Sequence, residues 1–271
     1  MDHADVSGLR LHYLRRGEGE PLLLIQGMSG THLSWGEPFE AALAGAGLEL
    51  ITYDHRGVGH SARVDGGFSI AQLADDAAGL LDALELERVH VLGISMGGMV
   101  AQELALRHPQ RLRTLTLGCT YCGGPEGRLA GEEVAAGLGQ ALMSGDRERA
   151  VRAGYEFNVS RAFATEAANY EPFRTMATTL PVPVAVIMLQ LQAIQGHDTS
   201  ARLEGLDVPT LVLHGTEDRM LPFANGELIA RLVPGARLER LEGVGHMFWW
   251  EQPERSARLV AEHALGTRAA A

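Results

Sequence analysis

HVLGISMGGMVAQ, residues His90–Gln102, joins an apolar run typical of a buried strand to a segment with helical spacing. A single serine, Ser95, stands between glycines at the junction. Glycine costs stability inside regular structure unless the backbone bends sharply or another segment approaches it closely. The five residues centred on Ser95 match G-x-S-x-G in the strand–turn–helix context that this pattern requires. The serine hydroxyl is therefore expected at the carboxyl edge of a parallel sheet, where such sheets bind ligands.

Short apolar runs alternate with amphipathic segments along most of the chain, which predicts an α/β fold with a mostly parallel sheet flanked by helices. The predicted strands are Leu9–Leu14, Leu22–Gln26, Glu49–Asp54, Val89–Ile94, Leu112–Gly118, Thr210–His214 and Arg237–Leu241. The predicted helices of this part are Ile70–Leu84 and Met96–His108.

The alternation breaks between residues 121 and 206, where no run favours a strand. Glu132–Ser144 has an apolar helical face, and Val182–Ile194 is an apolar segment with prolines at its start. We therefore predict a core formed by residues 1–120 and 207–271, with a helical cap, residues 121–206, inserted into it.

The composition of the chain excludes several classes of function. The chain has 271 residues, a formal net charge of -11 and no basic cluster, so nucleic acid is not an expected partner. All 23 basic residues are arginines, which excludes chemistry that requires a lysine amine. No signal peptide is recognisable, and no apolar run reaches the roughly 18 residues needed to span a bilayer. We expect a cytoplasmic protein with no membrane partner.

A serine nucleophile needs a base and an acid that orients the base, in the chain order serine, acid, histidine for this arrangement. Asp218 follows a late predicted strand, and His246 lies in the loop after the last one. We predict Ser95 as nucleophile, His246 as base and Asp218 as acid, with Glu217 as the neighbouring rival for the acid.

Acyl transfer also needs N–H donors for the developing oxyanion. The N–H of Met96, at the start of the helix, is one candidate. The second candidate is the N–H of Met28, where Gly27 allows a tight turn after an early strand. Gly27, Phe248 and Trp249 are predicted substrate contacts beside the cap.

Other polar groups have simpler interpretations. Segment 53–61 is interpreted as a structural loop and not as a metal site, although it brings together Asp54, His55, Arg56 and His60. Cys119 and Cys122 are expected to be small packed residues, because two glycines and a proline follow them where a redox dithiol would open a helix. His214, at a strand end, is expected to be packed or hydrogen-bonded. No metal and no cofactor is predicted.

These segments together resemble the α/β-hydrolase superfamily across nearly the whole chain. The match lies in LLLIQGMSG, YDHRGVGHS, GISMGG, HGTEDRMLP and GVGHMFWWEQPE. The chain is most similar to the branch of 3-oxoadipate enol-lactonases, aclacinomycin-type methylesterases and small cofactor-free esterases and perhydrolases. This resemblance implies an eight-stranded sheet with a helical cap between the sixth and seventh strands. Many relatives have His-Gly where this chain has Gln26-Gly27.

The expected function is hydrolysis of a small, largely apolar carboxylic ester or lactone through an acyl-enzyme. Acyl transfer, perhydrolysis and C–C bond cleavage by the same triad are alternatives, as is a noncatalytic ligand receptor. A dianionic substrate would need cap arginines, for which the candidates are Arg128, Arg152, Arg161 and Arg174. A homodimer is left open.

Overall fold

The computed structural model describes residues 2–266, and one eight-stranded sheet forms its centre. The strands are β1 Asp2–Val6, β2 Leu9–Arg16, β3 Glu20–Ile25, β4 Leu48–Tyr53, β5 Val89–Ile94, β6 Leu112–Gly118, β7 Thr210–Gly215 and β8 Arg237–Leu241. Their spatial order is β1-β2-β4-β3-β5-β6-β7-β8. The pairs β1–β2 and β2–β4 are antiparallel, and all the other pairs are parallel. The predicted α/β fold with an eight-stranded, mostly parallel sheet is confirmed.

All seven strands predicted from individual runs are present, and three of them have the predicted bounds. Strand β1 was not predicted, because its sequence DHADV has no apolar run and buries only two of its five residues. Ser7 and Gly8 both adopt positive φ angles, 50° and 82°. They form the tight turn that folds β1 back onto β2 in an antiparallel hairpin.

Helices cover both faces of the sheet. They are α1 Glu37–Gly45, α2 Ile70–Ala83, α3 Met96–Arg107, α4 Glu132–Met143, α5 Arg147–Asn158, α6 Arg161–Thr165, α7 Ala167–Thr179, α8 Val184–Gln195, α9 Ala224–Leu232, α10 Phe248–Glu251 and α11 Pro253–Gly266. The buried residues of α2, α3 and α9 belong to one core cluster, and those of α1, α10 and α11 belong to a second. Alternate residues of β3 enter the two clusters, Leu23 the first and Leu22 the second, as a strand buried on both faces requires.

Helices α4 to α8 all lie between β6 and β7, and no strand interrupts them within the described residues. The predicted helices at Glu132–Ser144 and Val182–Ile194 correspond to α4 and α8 within two residues. Helices α1, α5 to α7 and α9 to α11 were not predicted from the sequence; of these, α5 to α7 are mostly exposed and leave little apolar periodicity. The division into a core and a separate cap at residues 121 and 206 stays a prediction.

Within residues 2–266, no individual helix combines the length and apolar character of a membrane span. Only α7 and α8 taken together, with a bend of 101° between them, satisfy that criterion.

Candidate active site

Ser95 lies in a strained turn between β5 and α3. Its backbone angles are φ 54° and ψ -123°, which L-residues rarely adopt. Its N–H donates to the carbonyl oxygen of Gly118 at the end of β6, over 2.9 Å. A Cβ at Gly93 would lie 2.2 Å from the oxygen of Gly97, and a Cβ at Gly97 would lie 2.1 Å from the oxygen of Ile25. The glycines that flank Ser95 are therefore required by the close crossing of strand and helix.

Asp218 and His246 form a buried pair in the loops after β7 and β8. His246 Nδ1 donates to Asp218 Oδ2 over 2.7 Å. The other oxygen, Oδ1, accepts the backbone N–H groups of Met220 and Leu221 over 2.8 and 2.9 Å. His214 Nε2 lies 3.2 Å from Oδ2 and 2.8 Å from the oxygen of Leu221. The carboxylate is therefore held from several sides, and it fixes the ring orientation of His246.

The electrostatics of Asp218 favour its charged form. Burial alone would raise its pKa, but the positive charge available at His246 and the hydrogen bonds from His214 and His246 lower the pKa to about 2. Asp218 is therefore an anion throughout the neutral pH range. Its rival Glu217 is exposed, and His214 is fully buried and hydrogen-bonded.

Ser95 and His246 follow parallel strands, β5 and β8, and so lie at the same edge of the sheet, which Cys119 after β6 also shares. Cys119 directly follows Gly118, the acceptor of the Ser95 N–H. Its sulfur lies within 4.8 Å of an oxygen of Asp218 and a ring nitrogen of His246. No hydrogen bond joins the Ser95 hydroxyl to His246 in the part of the chain that the structure describes. Hydrogen bonds of catalytic groups are often loose before substrate binds.

The two candidate oxyanion donors have no acceptor of their own. Neither the Met28 N–H nor the Met96 N–H forms a hydrogen bond among the described residues. Gly27 packs directly against the serine, since a Cβ on Gly27 would lie 3.0 Å from Ser95 Cβ and 3.5 Å from its Oγ. Both N–H groups remain available for a ligand beside the serine hydroxyl.

Three residues to which the sequence assigned no role in the site, Gln26, His55 and Gln190, hold the loop after β3. Gln26 Oε1 accepts the Gly27 N–H over 3.1 Å. The carbonyl oxygen of Gln26 lies 2.9 Å from His55 Nε2. Gln190 of α8 accepts the Ser29 N–H over 2.9 Å, which links α8 to this loop. The sequence does not distinguish Gln190 from Gln192 and Gln195, which lie in the same mostly apolar helix.

Glu251 links the loop that carries His246 to Ser160, the residue before α6. Its Oε1 accepts the N–H groups of Gly245 and Ser160 over 2.9 and 2.8 Å, and its Oε2 accepts the Ser160 hydroxyl over 2.6 Å. Burial raises the pKa of this carboxyl group. No pattern in the sequence distinguishes Glu251 from an exposed acidic residue near a helix start.

The predicted substrate contacts are enclosed in the core. Phe248 is fully buried and would lie 2.7 Å from a Cβ at Gly118. Trp249 is also buried, and its Nε1 donates to the oxygen of Ser34 over 2.9 Å. Their contact with substrate, like that of Gly27, stays a prediction.

The cap arginines mostly face solvent. Arg128, Arg152 and Arg161 are exposed. Arg152 stacks on Tyr170, with its guanidinium carbon 4.1 Å from the ring centroid. Arg174 is half-buried and pairs with Glu148 over 2.9 Å. Arg152 and Arg174 therefore already have partners on the cap.

Segment 53–61 does not form a single metal-ligand group. His55 contacts Gln26, Arg56 pairs with Asp76 over 2.6 Å, and the side chain of His60 is exposed. Asp54 is instead bonded to His32, which comes from a different segment. Cys119 and Cys122 are both buried and form no disulfide, and burial raises the pKa of each thiol.

Comparisons with known proteins identify the family of this chain. Residues 20–253 match the family described as alpha/beta hydrolase fold. The chain belongs to this family. It is 32% identical to a putative carbamate hydrolase, RutD, of Azorhizobium caulinodans over 92% of each chain. It is 29% identical to the rhodomycin D methylesterase DnrP of Streptomyces peucetius, over 92% of this chain and 91% of the relative.

A solved structure, the enol-lactonase of Burkholderia xenovorans LB400, superposes on this α/β hydrolase with a TM-score of 0.83. The two are 28% identical, and the alignment covers 97% of this chain and 99% of the lactonase. The resemblance inferred from the motifs is confirmed, and the protein is a hydrolase of the α/β fold with esterase and lactonase relatives.

Proposed function

We propose that this α/β hydrolase cleaves a small, largely apolar carboxylic ester or lactone through an acyl-enzyme formed on Ser95. The observation that carries the proposal is the meeting, at one sheet edge, of a strained serine, two free backbone N–H donors and a buried Asp218–His246 pair. Each group has a role in acyl transfer, and together they suit that reaction class.

In the first step, His246 takes the proton of Ser95 as the hydroxyl attacks the carbonyl carbon. The N–H groups of Met28 and Met96 donate to the oxyanion that develops on the carbonyl oxygen. Preorganised donors of this kind contribute about 3–4 kcal/mol each in comparable enzymes. Asp218, held anionic at neutral pH, stabilises the imidazolium that forms. The imidazolium then protonates the leaving alcohol or enolate oxygen.

In the second step, His246 removes a proton from water, which attacks the acyl-enzyme through the same oxyanion arrangement. The serine leaves and regains its proton from the imidazolium. In this scheme every proton moves between His246, Ser95, water and the substrate.

The relatives support an oxygen ester as the substrate class. One is named as a methylesterase of a rhodomycin and one as an enol-lactonase. Met96, which follows Ser95, and Phe248, which packs against Gly118, are buried and apolar, and such surroundings suit a neutral acyl group better than a dianion.

Kinetics on a panel of methyl esters, lactones and short-chain chromogenic esters tests the proposal. The Ser95→Ala variant should lose at least about 10⁴-fold in kcat/KM on every substrate that the wild type cleaves. In the wild type, mass spectrometry after rapid quenching should find the acyl group on the peptide that contains Ser95.

Ser144→Ala is the matched control, because Ser144 is exposed at the end of α4. It should behave as the wild type. Activity of Ser95→Ala within tenfold of the wild type would rule out this nucleophile. Thermal stabilisation by esters without any product would instead favour a noncatalytic receptor.

A further inference from the structure

Four histidines and one aspartate from three separate segments meet outside the proposed active site. They are His3 and His12 on the first hairpin, His32 in the segment before α1, and Asp54 and His60 in the loop after β4. We refer to these five residues as the histidine cluster. His12, His32 and Asp54 are buried, while His60 is exposed and brings the cluster to the surface.

We propose that the histidine cluster binds one divalent transition-metal ion of the zinc class through His12, His32 and His60, with Asp54 as the carboxylate partner. One ring nitrogen of His12, one of His32 and an oxygen of Asp54 already lie within 4.8 Å of one another. The three rings would supply the ligand nitrogens, while Asp54 accepts the Nδ1–H of His32 beside them.

The spacing of the three rings fits a common ion. The ring centroids of His12 and His32 are 4.7 Å apart, those of His12 and His60 are 5.1 Å apart, and those of His32 and His60 are 5.7 Å apart. Three imidazoles on one tetrahedral ion, with nitrogen–metal distances of about 2.0–2.1 Å, have centroids about 5 Å apart. The exposed ring of His60 can rotate to complete the set.

The hydrogen bonds of the two buried rings leave a nitrogen lone pair on each. His12 Nδ1 lies 3.0 Å from the backbone oxygen of Asp2, and His32 Nδ1 lies 3.0 Å from Asp54 Oδ1. Both acceptors can only accept, so both rings carry their proton on Nδ1. Nε2 of each ring has no hydrogen-bond partner among the described residues. Histidines that bind metals typically donate the other ring N–H to a carboxylate or a backbone carbonyl.

Asp54 is held where it can serve this purpose. Its Oδ1 accepts the backbone N–H of His32 over 2.8 Å, and its Oδ2 accepts the backbone N–H of His60 over 2.9 Å. The carboxylate therefore fixes the backbones of two of the three proposed ligands and supplies negative charge beside a cation. Imidazole-rich sites select Zn²⁺, Co²⁺, Ni²⁺ or Cu²⁺ over Mg²⁺ and Ca²⁺, which prefer oxygen ligands.

The second group with ligand spacing, Cys119, Asp218 and His246, belongs to the proposed active site. The histidine cluster differs because none of its members has a role in the reaction. It nevertheless lies close along the chain to the active site, since His32 is four residues after Met28. An ion there would hold the loop that carries the Met28 N–H.

Calorimetric titration of the full chain, free of any histidine tag and treated with a chelator, with Zn²⁺ alone tests this site. We expect one ion per chain. The affinity should fall at least about 100-fold in His32→Gln, since losing only the partner of a metal-bound histidine costs about 10–100-fold. Saturating Zn²⁺ should also raise the Tm of the wild type by about 5 °C. Co²⁺ should give the visible absorption of a four-coordinate ion.

Two further variants keep the result unambiguous. His60→Gln changes an exposed ring, so it should fold normally and still weaken Zn²⁺ binding by about tenfold or more. His108→Gln, at the end of α3, is the matched control and should bind as the wild type does. His246→Gln should also retain binding, which separates this site from the active site.

Several outcomes would overturn the site. They are the absence of binding by Zn²⁺, Co²⁺, Ni²⁺ and Cu²⁺ at millimolar concentration, unchanged affinity in His60→Gln, or loss of the ion in His246→Gln alone.

Discussion

Two buried aspartate–histidine pairs lie after parallel strands of the same sheet, and they are nearly alike as chemical units. Asp218 follows β7 and accepts from His246 Nδ1 over 2.7 Å. Asp54 follows β4 and lies 3.0 Å from His32 Nδ1. In both pairs, burial opposes ionisation, and hydrogen bonds from histidine help to lower the pKa of the carboxyl group. The chemistry of the pair alone does not distinguish their roles.

The remaining hydrogen bonds of the two carboxylates do distinguish them. Asp218 accepts N–H groups only two and three residues away, at Met220 and Leu221, so its backbone bonds organise a single loop. Asp54 accepts N–H groups from His32 and His60, which lie in different segments. Asp218 therefore orients the His246 ring from a single loop, whereas Asp54 joins segments of the fold.

The largest difference should appear in activity when Asp218 is changed. Asp218→Asn keeps the shape of the side chain but removes the charge that stabilises the imidazolium, and an amide can favour the wrong ring tautomer of His246. We expect kcat on a chromogenic ester to fall by about 10⁴-fold. Glu217→Gln, one residue away and exposed, should stay within twofold of the wild type. Equal losses in the two variants would contradict the assignment of the acid.

Asp54→Asn should show the opposite pattern, with a large effect on stability and a small one on activity. The charged carboxylate of Asp54 accepts three hydrogen bonds, from two backbone N–H groups and from the His32 ring. In the variant these donors would face a neutral amide. We expect the free energy of unfolding to fall by about 2–4 kcal/mol, since hydrogen bonds to charged groups contribute about 1.5–3 kcal/mol each.

Urea unfolding with a chelator present measures this loss, and Asp65→Asn in the same region is the exposed control. The kcat of Asp54→Asn, corrected for the folded fraction, should fall less than tenfold. A 10⁴-fold loss of kcat would erase the contrast between the two pairs.

Acid should weaken the contribution of both aspartates. The pKa of Asp218 is about 2 in the folded protein, below its ordinary value of 3.8. A carboxyl group whose pKa is lowered on folding stabilises the folded state at pH values above its ordinary pKa. That stabilisation is lost as the pH falls from about 4 towards 2. The amount is about 2 kcal/mol for Asp218. Urea unfolding at pH 5, 4 and 3 should therefore give a shallower pH dependence in Asp218→Asn than in the wild type. Identical slopes would contradict this account.

Sequence patterns predicted one of these pairs and not the other, for a physical reason. Ser95, Asp218 and His246 each follow a recognisable strand, in the chain order expected when the serine lies at a strand–turn–helix junction of this kind. The burial of Asp218 and His246 and the 2.7 Å hydrogen bond between them are consistent with that expectation, although no hydrogen bond joins Ser95 to His246 among the described residues. His32 precedes a helix with no chemical motif around it, so nothing in the sequence connects it to Asp54.

The secondary structure likewise contains elements that the sequence predicted and elements that it did not. Strands with continuous apolar runs, such as β5 and β6, were predicted with their observed bounds, because burial on both faces leaves a strong local pattern. Strand β1 and helices α5 to α7 are largely exposed, and their positions depend on contacts with distant segments. The hydrogen bonds by which Gln190 and Glu251 hold such segments in place can be recognised only in the folded structure.

The smallest effect is expected at Gly59, which packs against the Asp54 carboxylate. Gly59 has a φ of 54°, and a Cβ there would lie 2.1 Å from Asp54 Oδ2. Gly59→Ala should therefore displace an oxygen that His60 holds and add backbone strain, which costs about 1–2 kcal/mol in unfolding free energy. Gly66→Ala is the matched control, because nothing lies within 4 Å of a Cβ at that position. If both alanine variants unfold at the same urea concentration, the hydrogen bonds of Asp54 do not stabilise the fold in the way that distinguishes Asp54 from Asp218.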